Sequence, residues 1–150
     1  MKEKYAFVMM IKDKYWREFY NLNREGRKEL SYVQHGDRAP PKNAAVLLFY
    51  VTKPVGEIAG YAEFIERKFG NAESLWNDHG NESAFKSKGQ FEAFIGDEKK
   101  VSLIRFKNLQ EAAKPIHLNN LLMILGKERL PRRGFYLNKE TTDKLLALMV

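Results

Sequence analysis

Residues 44–51, Ala-Ala-Val-Leu-Leu-Phe-Tyr-Val, form an unbroken apolar run that ends at Thr52-Lys53-Pro54-Val55-Gly56. A short run of this kind, rich in aliphatic and aromatic residues and closed by a Pro/Gly turn, reads as the strongest strand in the chain. Residues 57–67 then alternate. Ile58, Gly60, Ala62 and Phe64 fall on one face, and Glu57, Tyr61, Glu63 and Arg67 on the other, which is the period-2 signature of a second strand. The two make a hairpin, so the nucleus of the fold is antiparallel β structure. Gly60, in mid-strand, marks a sharp bend of the sort a small barrel needs at a corner.

Helices and further strands surround this hairpin. Residues 5–11 read as a strand that ends at Asp13, a good N-cap. Tyr15, Phe19 and Leu22 then recur at helical spacing, with Trp16 and Tyr20 beside them and Gly26 placed to end the helix. That aromatic face is expected to pack into the core. Residues 27–43 are polar, and Pro40-Pro41 favours an extended loop. A short helix is expected over residues 71–78, stopping at Gly80. Ser87 and Gln90 fit a capping box for another that ends at Gly96. Residues 101–106 form a strand, residues 108–114 a connection halted by Pro115, and residues 116–118 a brief strand. Asn119 can cap a short helix ending at Gly126, Pro131-Arg132-Arg133-Gly134 suits a turn into a strand over 135–137, and Asn138 caps a terminal helix. The order predicts an α+β domain, a small antiparallel β pseudo-barrel with flanking short helices, without the βαβ alternation of a doubly wound sheet. The 150 residues contain no repeat and no linker, so residues 1–150 read as a single domain.

Composition limits the chemistry. With no cysteine there is no disulfide, thiol nucleophile or cysteine-held metal, and only three histidines remain for imidazole chemistry. Walker, dinucleotide and hydrolase-elbow motifs do not occur. Asp78, His79 and Glu82 are interrupted by Gly80 and lack a partner set, so no metal and no cofactor are expected, while His117, between Ile116 and Leu118, reads as structural. No apolar run reaches the roughly 18 residues of a membrane span, and the first residues lack a signal-peptide core. The chain therefore reads as cytoplasmic, with no membrane partner and an oligomeric state left open.

The net charge of +7 is unevenly placed. Residues 1–98 carry 15 Lys+Arg against 15 Asp+Glu, whereas residues 99–150 carry 11 against 4. A basic segment of this kind favours a polyanion, because Lys and Arg contacts to phosphates release counterions. Arg105, Lys107, Arg129, Arg132 and Arg133, with Tyr136 adjacent, are the candidate phosphate-tracking group. Tyr61 and Trp76 are candidates for stacking on a base. His35 lies with Asp37 and Arg38 in the polar loop, where small folds place binding groups.

Four segments carry a resemblance to a known group: the strand Val46-Leu47-Leu48-Phe49-Tyr50-Val51, the turn Lys53-Pro54-Val55-Gly56-Glu57, the strand Ile58-Ala59-Gly60-Tyr61-Ala62-Glu63-Phe64, and the late strand Gly134-Phe135-Tyr136-Leu137. Over residues 43–137 the chain resembles the PUA-like superfamily, which includes PUA, ASCH and EVE domains, and it looks closest to an archaeal-type branch near the ASCH domains. The resemblance implies a pseudo-barrel that binds RNA or another single-stranded nucleic acid, with a modified base among the ligands it would recognise. It places a base pocket at Lys12, Trp16, Arg38, Tyr61 and Trp76. Some ASCH members look like ribonucleases or amidohydrolases of modified nucleosides, which gives the alternative: an enzyme drawing on Lys12, His35, Glu57 and Glu63. The ASCH signature G-x-K-x-x-T/E-x-R is absent, since the matching stretch reads Val8-Met9-Met10-Ile11-Lys12-Asp13-Lys14-Tyr15-Trp16-Arg17. Lys12 is its nearest lysine. That departure favours binding over catalysis.

Overall fold

The computed structural model describes residues 4–36 and 41–150. Six strands form one mixed sheet: β1 (Ala6–Ile11), β2 (Glu29–His35), β3 (Val46–Val51), β4 (Glu57–Asn71), β5 (Lys100–His117) and β6 (Phe135–Leu137). Five helices accompany them: α1 (Asp13–Arg24), α2 (Ala72–His79), α3 (Lys88–Ile95), α4 (Leu118–Leu125) and α5 (Lys139–Met149). The strand order is β2-β5-β4-β3-β1-β6, with β1 and β3 parallel and the other neighbours antiparallel. The sheet is not closed, which corrects the expected antiparallel pseudo-barrel. The chain leaves β1 through α1 to β2 at the far end of the sheet, then returns to lay β3 parallel to β1. No ladder joins β1 to β2.

The hairpin formed as the sequence indicated, with one change of facing. In the pairing of β3 with β4, Phe49 opposes Gly60 and Tyr50 opposes Ile58, so Ala59 is an extra residue. A bulge reverses the side-chain alternation at that point. Ile58 consequently packs on the opposite face from Ala62 and Phe64. Gly60 has a steric role as well: a Cβ there would lie 2.6 Å from the Trp16 ring and collide with the Gln110 carbonyl. Further shifts between β4 and β5, at Tyr61/Glu63 and Phe64/Glu66, bend these long strands.

Two expected loops are strands. Residues 29–35 read Glu-Leu-Ser-Tyr-Val-Gln-His and pair with β5 from Glu29↔Lys107 to His35↔Val101. The expected connection over residues 108–114 is continuous β5, which absorbs an irregularity by holding Asn108 at φ 54 and by bulging between Glu111 and Ile116, around Pro115. Helix starts followed the expected residue types, with local shifts. Asn71, Ser87 and Asn138 cap α2, α3 and α5 through their side chains. The cap of α1 is Lys12 rather than Asp13, which instead pairs with Arg17 at 2.8 Å one turn on. The cap of α4 is His117, whose ring accepts from the Asn119 amide, so His117 is structural.

The sheet separates three apolar clusters. Helix α1 lays Trp16 and Phe19 on one face against Phe7, Met9, Leu47, Phe49 and Phe106. On the other face α4 and α5 cover Val8, Leu48, Tyr50 and Ile58. Helices α2 and α3 cover Val33, Val101 and Leu103. Every residue of β3 after Val46 is buried, as its unbroken apolar sequence requires. No helix among the described residues is long and apolar enough to cross a membrane.

Candidate nucleic-acid interface

The open seam of the sheet holds a cleft. Strands β1 and β2, not hydrogen-bonded to each other, line opposite walls of a cleft of about 410 Å³. Phe7, Met9 and Met10 form one wall, and Tyr32, Val33, Gln34 and His35 the other. Phe94, Arg132, Arg133 and Gly134 complete the lining. This volume is within the usual range for small-ligand sites.

Local sequence explains each part. Strand β6 runs antiparallel to β1, with Phe7 opposite Tyr136 and Val8 opposite Phe135, so the residues before Phe135 are carried on toward Met9 and Met10. Gly134 permits this approach, because a Cβ at that position would strike the Phe7 ring and the Val8 carbonyl. Arg132 and Arg133 are thereby held at the cleft, exposed, and have no carboxylate within ion-pair distance among the described residues. More positive charge surrounds β6. The Lys4 Nζ lies 5.0 Å from the centre of the Tyr136 ring and the Lys127 Nζ 5.4 Å from that of Phe135. The Tyr136 hydroxyl accepts from the Lys42 amide at 3.1 Å.

On the other wall, the antiparallel register ends with His35 opposite Val101, which brings the segment before β5 alongside. His35 Nδ1 lies 3.0 Å from Glu98 Oε1, and the imidazole stacks on Phe94 with centres 4.2 Å apart and planes 24° from parallel. A carboxylate only accepts, so Nδ1 carries a proton toward Glu98, and Nε2 is the ring nitrogen left to face a ligand. Beside it, Gln34 Oε1 is buried without a hydrogen-bond partner. Burial, reinforced by neighbouring Tyr15, pushes the Tyr32 phenol up to about 12, so it stays a neutral hydroxyl.

The residues singled out from sequence divide accordingly. His35, Arg132 and Arg133 meet in the cleft, with Tyr136 on the adjoining strand. Arg129 is exposed in the loop after α4. Lys107, on β5, is exposed and 4.0 Å from Glu63, its neighbour on β4. Arg105 is engaged elsewhere: its guanidinium binds Glu66 at 2.5 Å, Glu29 at 2.8 Å and Glu82 at 3.0 Å, with 11% of the side chain exposed. Three carboxylates occupy the donors that phosphate contact would use.

The base-pocket residues do not share one site. Trp16 is core, packed on Phe49. Tyr61 packs with the cluster on the sheet's opposite face. Trp76 stacks on Phe91 at 5.0 Å, and Lys12 is exposed at the start of α1. Arg38 lies outside the described residues. Glu57 faces a separate depression with Asp13, Trp16 and Arg17, so Lys12, His35, Glu57 and Glu63 form no common constellation among the described contacts. Sequence reading missed Gln34, because residues 27–43 read as a loop, and Phe94, which read as packing only. The available signal for β2 was Leu30 and Tyr32 at period 2 on one face, with β-branched Val33 on the other. No group of three or more potential metal ligands occurs among the described residues.

The arrangement is similar to solved structures. No protein-family model matches the chain. A protein of Zymomonas mobilis described as an ASCH domain-containing ribonuclease is 29% identical over 134 residues, which cover 89% of this chain and 87% of that protein. The crystal structure of ASCH from Zymomonas mobilis aligns with a TM-score of 0.73 and 27% identity, covering 97% of this chain and 96% of that one. A point mutant of the same protein aligns over the full length of both chains with a TM-score of 0.77 and 24% identity. The chain is therefore similar in sequence to an ASCH-domain protein over most of its length and shares its α+β fold.

Proposed function

We propose that this protein binds single-stranded RNA, with phosphates held by Arg132 and Arg133 and a nucleotide lodged in the β1/β2 cleft. The observation that carries the reading is the pair of arginines, without carboxylate partners among the described residues, held at the cleft opposite the stacked His35 and Phe94. Unpaired guanidinium groups suit phosphate oxygens, and aromatic faces beside a basic groove suit unpaired bases. Lys4, over Tyr136, and the exposed Arg129 extend the basic surface. Lys107 can add to it at a distance from the cleft. Gln34, which lines the cleft, gives it a polar side chain for discriminating among bases.

A second reading, RNA hydrolysis, is favoured by the description of the Zymomonas mobilis relative as a ribonuclease. Photo-crosslinking with an RNA oligomer carrying 4-thiouridine tests the placement. Crosslinks mapping to peptides that contain residues 32–35, 94 or 129–136 support it. Crosslinks confined to the α4/α5 face or to the Trp76 region contradict it.

A further inference from the structure

Resting on the RNA reading of the cleft, we propose that His35 is the general base of a 2′-hydroxyl-dependent RNA cleavage, oriented by Glu98 and assisted by Arg132 and Arg133. The argument starts from the tautomer. Glu98 fixes the proton at Nδ1, and Phe94 covers one ring face, so the lone pair at Nε2 is presented at a fixed angle. A base held by a carboxylate on its other nitrogen is the arrangement that proton abstraction from a hydroxyl requires. His35 and both arginines line the same cleft. A phosphate bound by the arginines therefore places its adjoining ribose beside the imidazole. The guanidinium groups neutralise charge gathering on the phosphoryl oxygens in the transition state.

The step balances without a further reactant. Nε2 takes the proton of the 2′-hydroxyl as the 2′-oxygen bonds to the adjacent phosphorus, and the bond from phosphorus to the 5′-oxygen breaks. The leaving oxygen takes a proton from water, and the imidazolium proton neutralises the hydroxide formed. The products are a 2′,3′-cyclic phosphate and a 5′-hydroxyl. Glu98 is a positioning residue, since it acts only through His35.

The experiment uses the full chain and three oligomers of one sequence: all-ribo, all-2′-O-methyl, and DNA with a single ribonucleotide. Binding is read by fluorescence anisotropy on the 2′-O-methyl oligomer and cleavage by mass spectrometry on the others. The account expects cleavage only on the 3′ side of a ribose, ending in a cyclic phosphate. His35→Ala should lower the rate by about 100- to 10,000-fold, the usual worth of a general base, while affinity falls far less than the rate and activity is partly restored by added imidazole. His35→Gln, which keeps the side chain's bulk, should be equally slow and insensitive to imidazole. Glu98→Gln should lower kcat and leave KM unchanged. Binding without cleavage overturns this inference and leaves the RNA-binding function standing. Cleavage that survives both His35 variants, or that needs no 2′-hydroxyl, also overturns it. Failure to bind any of the oligomers removes the function on which it rests.

Discussion

Replacing Arg105 by Met should destabilise the protein by an amount that depends on pH in a specified direction. Arg105 pairs with three carboxylates of unequal exposure: Glu29 is 51% exposed, Glu66 40% and Glu82 13%. Without the guanidinium, the first two can turn to water. Glu82 cannot, because it is largely buried, its Oε1 accepting from Ser31 Oγ at 2.8 Å with His79 Nδ1 3.2 Å away. Breaking a buried pair while leaving one partner charged costs about 3–5 kcal/mol, and with one carboxylate stranded the lower end, about 3 kcal/mol, applies. For a chain of this size that lowers Tm by about 6–12 °C. In the parent protein burial pushes the Glu82 pKa up, but hydrogen bonds from Arg105 and Ser31 together outweigh it and hold the carboxyl below its ordinary range. The pair's stabilisation is thus complete above the ordinary carboxylate range and is lost as pH falls through the depressed value. In Arg105→Met the main opposing charge is gone, burial dominates, and protonation relieves the variant as pH falls. Urea unfolding of both proteins at pH 7 and pH 4.5 should therefore give a gap that narrows on acidification. A gap under about 1 kcal/mol at pH 7, or one of equal size at both pH values, would refute the argument.

Other substitutions test the remaining geometry. Gly60→Ala should cost roughly 1–3 kcal/mol in urea unfolding, the usual range for overpacking, because its Cβ meets Trp16 and the Gln110 carbonyl; a neutral result would show that the bulge has room to spare. Gly134→Ala should lift the Arg132-Arg133 turn off Phe7 and weaken RNA affinity more than stability, read by anisotropy beside a melting curve. Tyr61→Ala should lower Tm and leave RNA affinity unchanged, since the ring packs among Leu48 and Ile116 and not at the cleft. Loss of RNA affinity without loss of Tm would return Tyr61 to the binding site.

Much of the scaffold was legible because its signals are local. The apolar run of β3, the turn after it, and the caps at Ser87 and Asn138 each depend on a few neighbouring residues. Sheet closure was not legible. Whether β1 and β2 pair depends on where β5 leads β2, and no residue in either strand states it. Strand β2 was hidden by the prolines that follow it, although it pairs with β5 along its whole length. The site was legible in part for the same reason. Arg132, Arg133 and His35 stood out as residue types, but their meeting is a product of two registers, β6 on β1 and β2 on β5. Arg105 shows the opposite case. Its neighbours in sequence are apolar or basic, while its carboxylates come from β2, β4 and the turn after α2.

The central claim is that phosphates are held by Arg132 and Arg133 at the β1/β2 cleft, and the salt dependence of RNA affinity tests it most directly. For single strands the logarithm of affinity falls against the logarithm of salt concentration with a slope of about −0.7 per phosphate neutralised. Titration of a single-stranded RNA 12-mer from 50 to 300 mM KCl should give a steep line for the parent protein. In Arg132→Ala with Arg133→Ala the slope should be shallower by about 1.4, from two lost contacts, with the loss of affinity similar for every sequence tried. An unchanged slope in the double variant, at unchanged Tm, would contradict the account and move the interface away from the cleft.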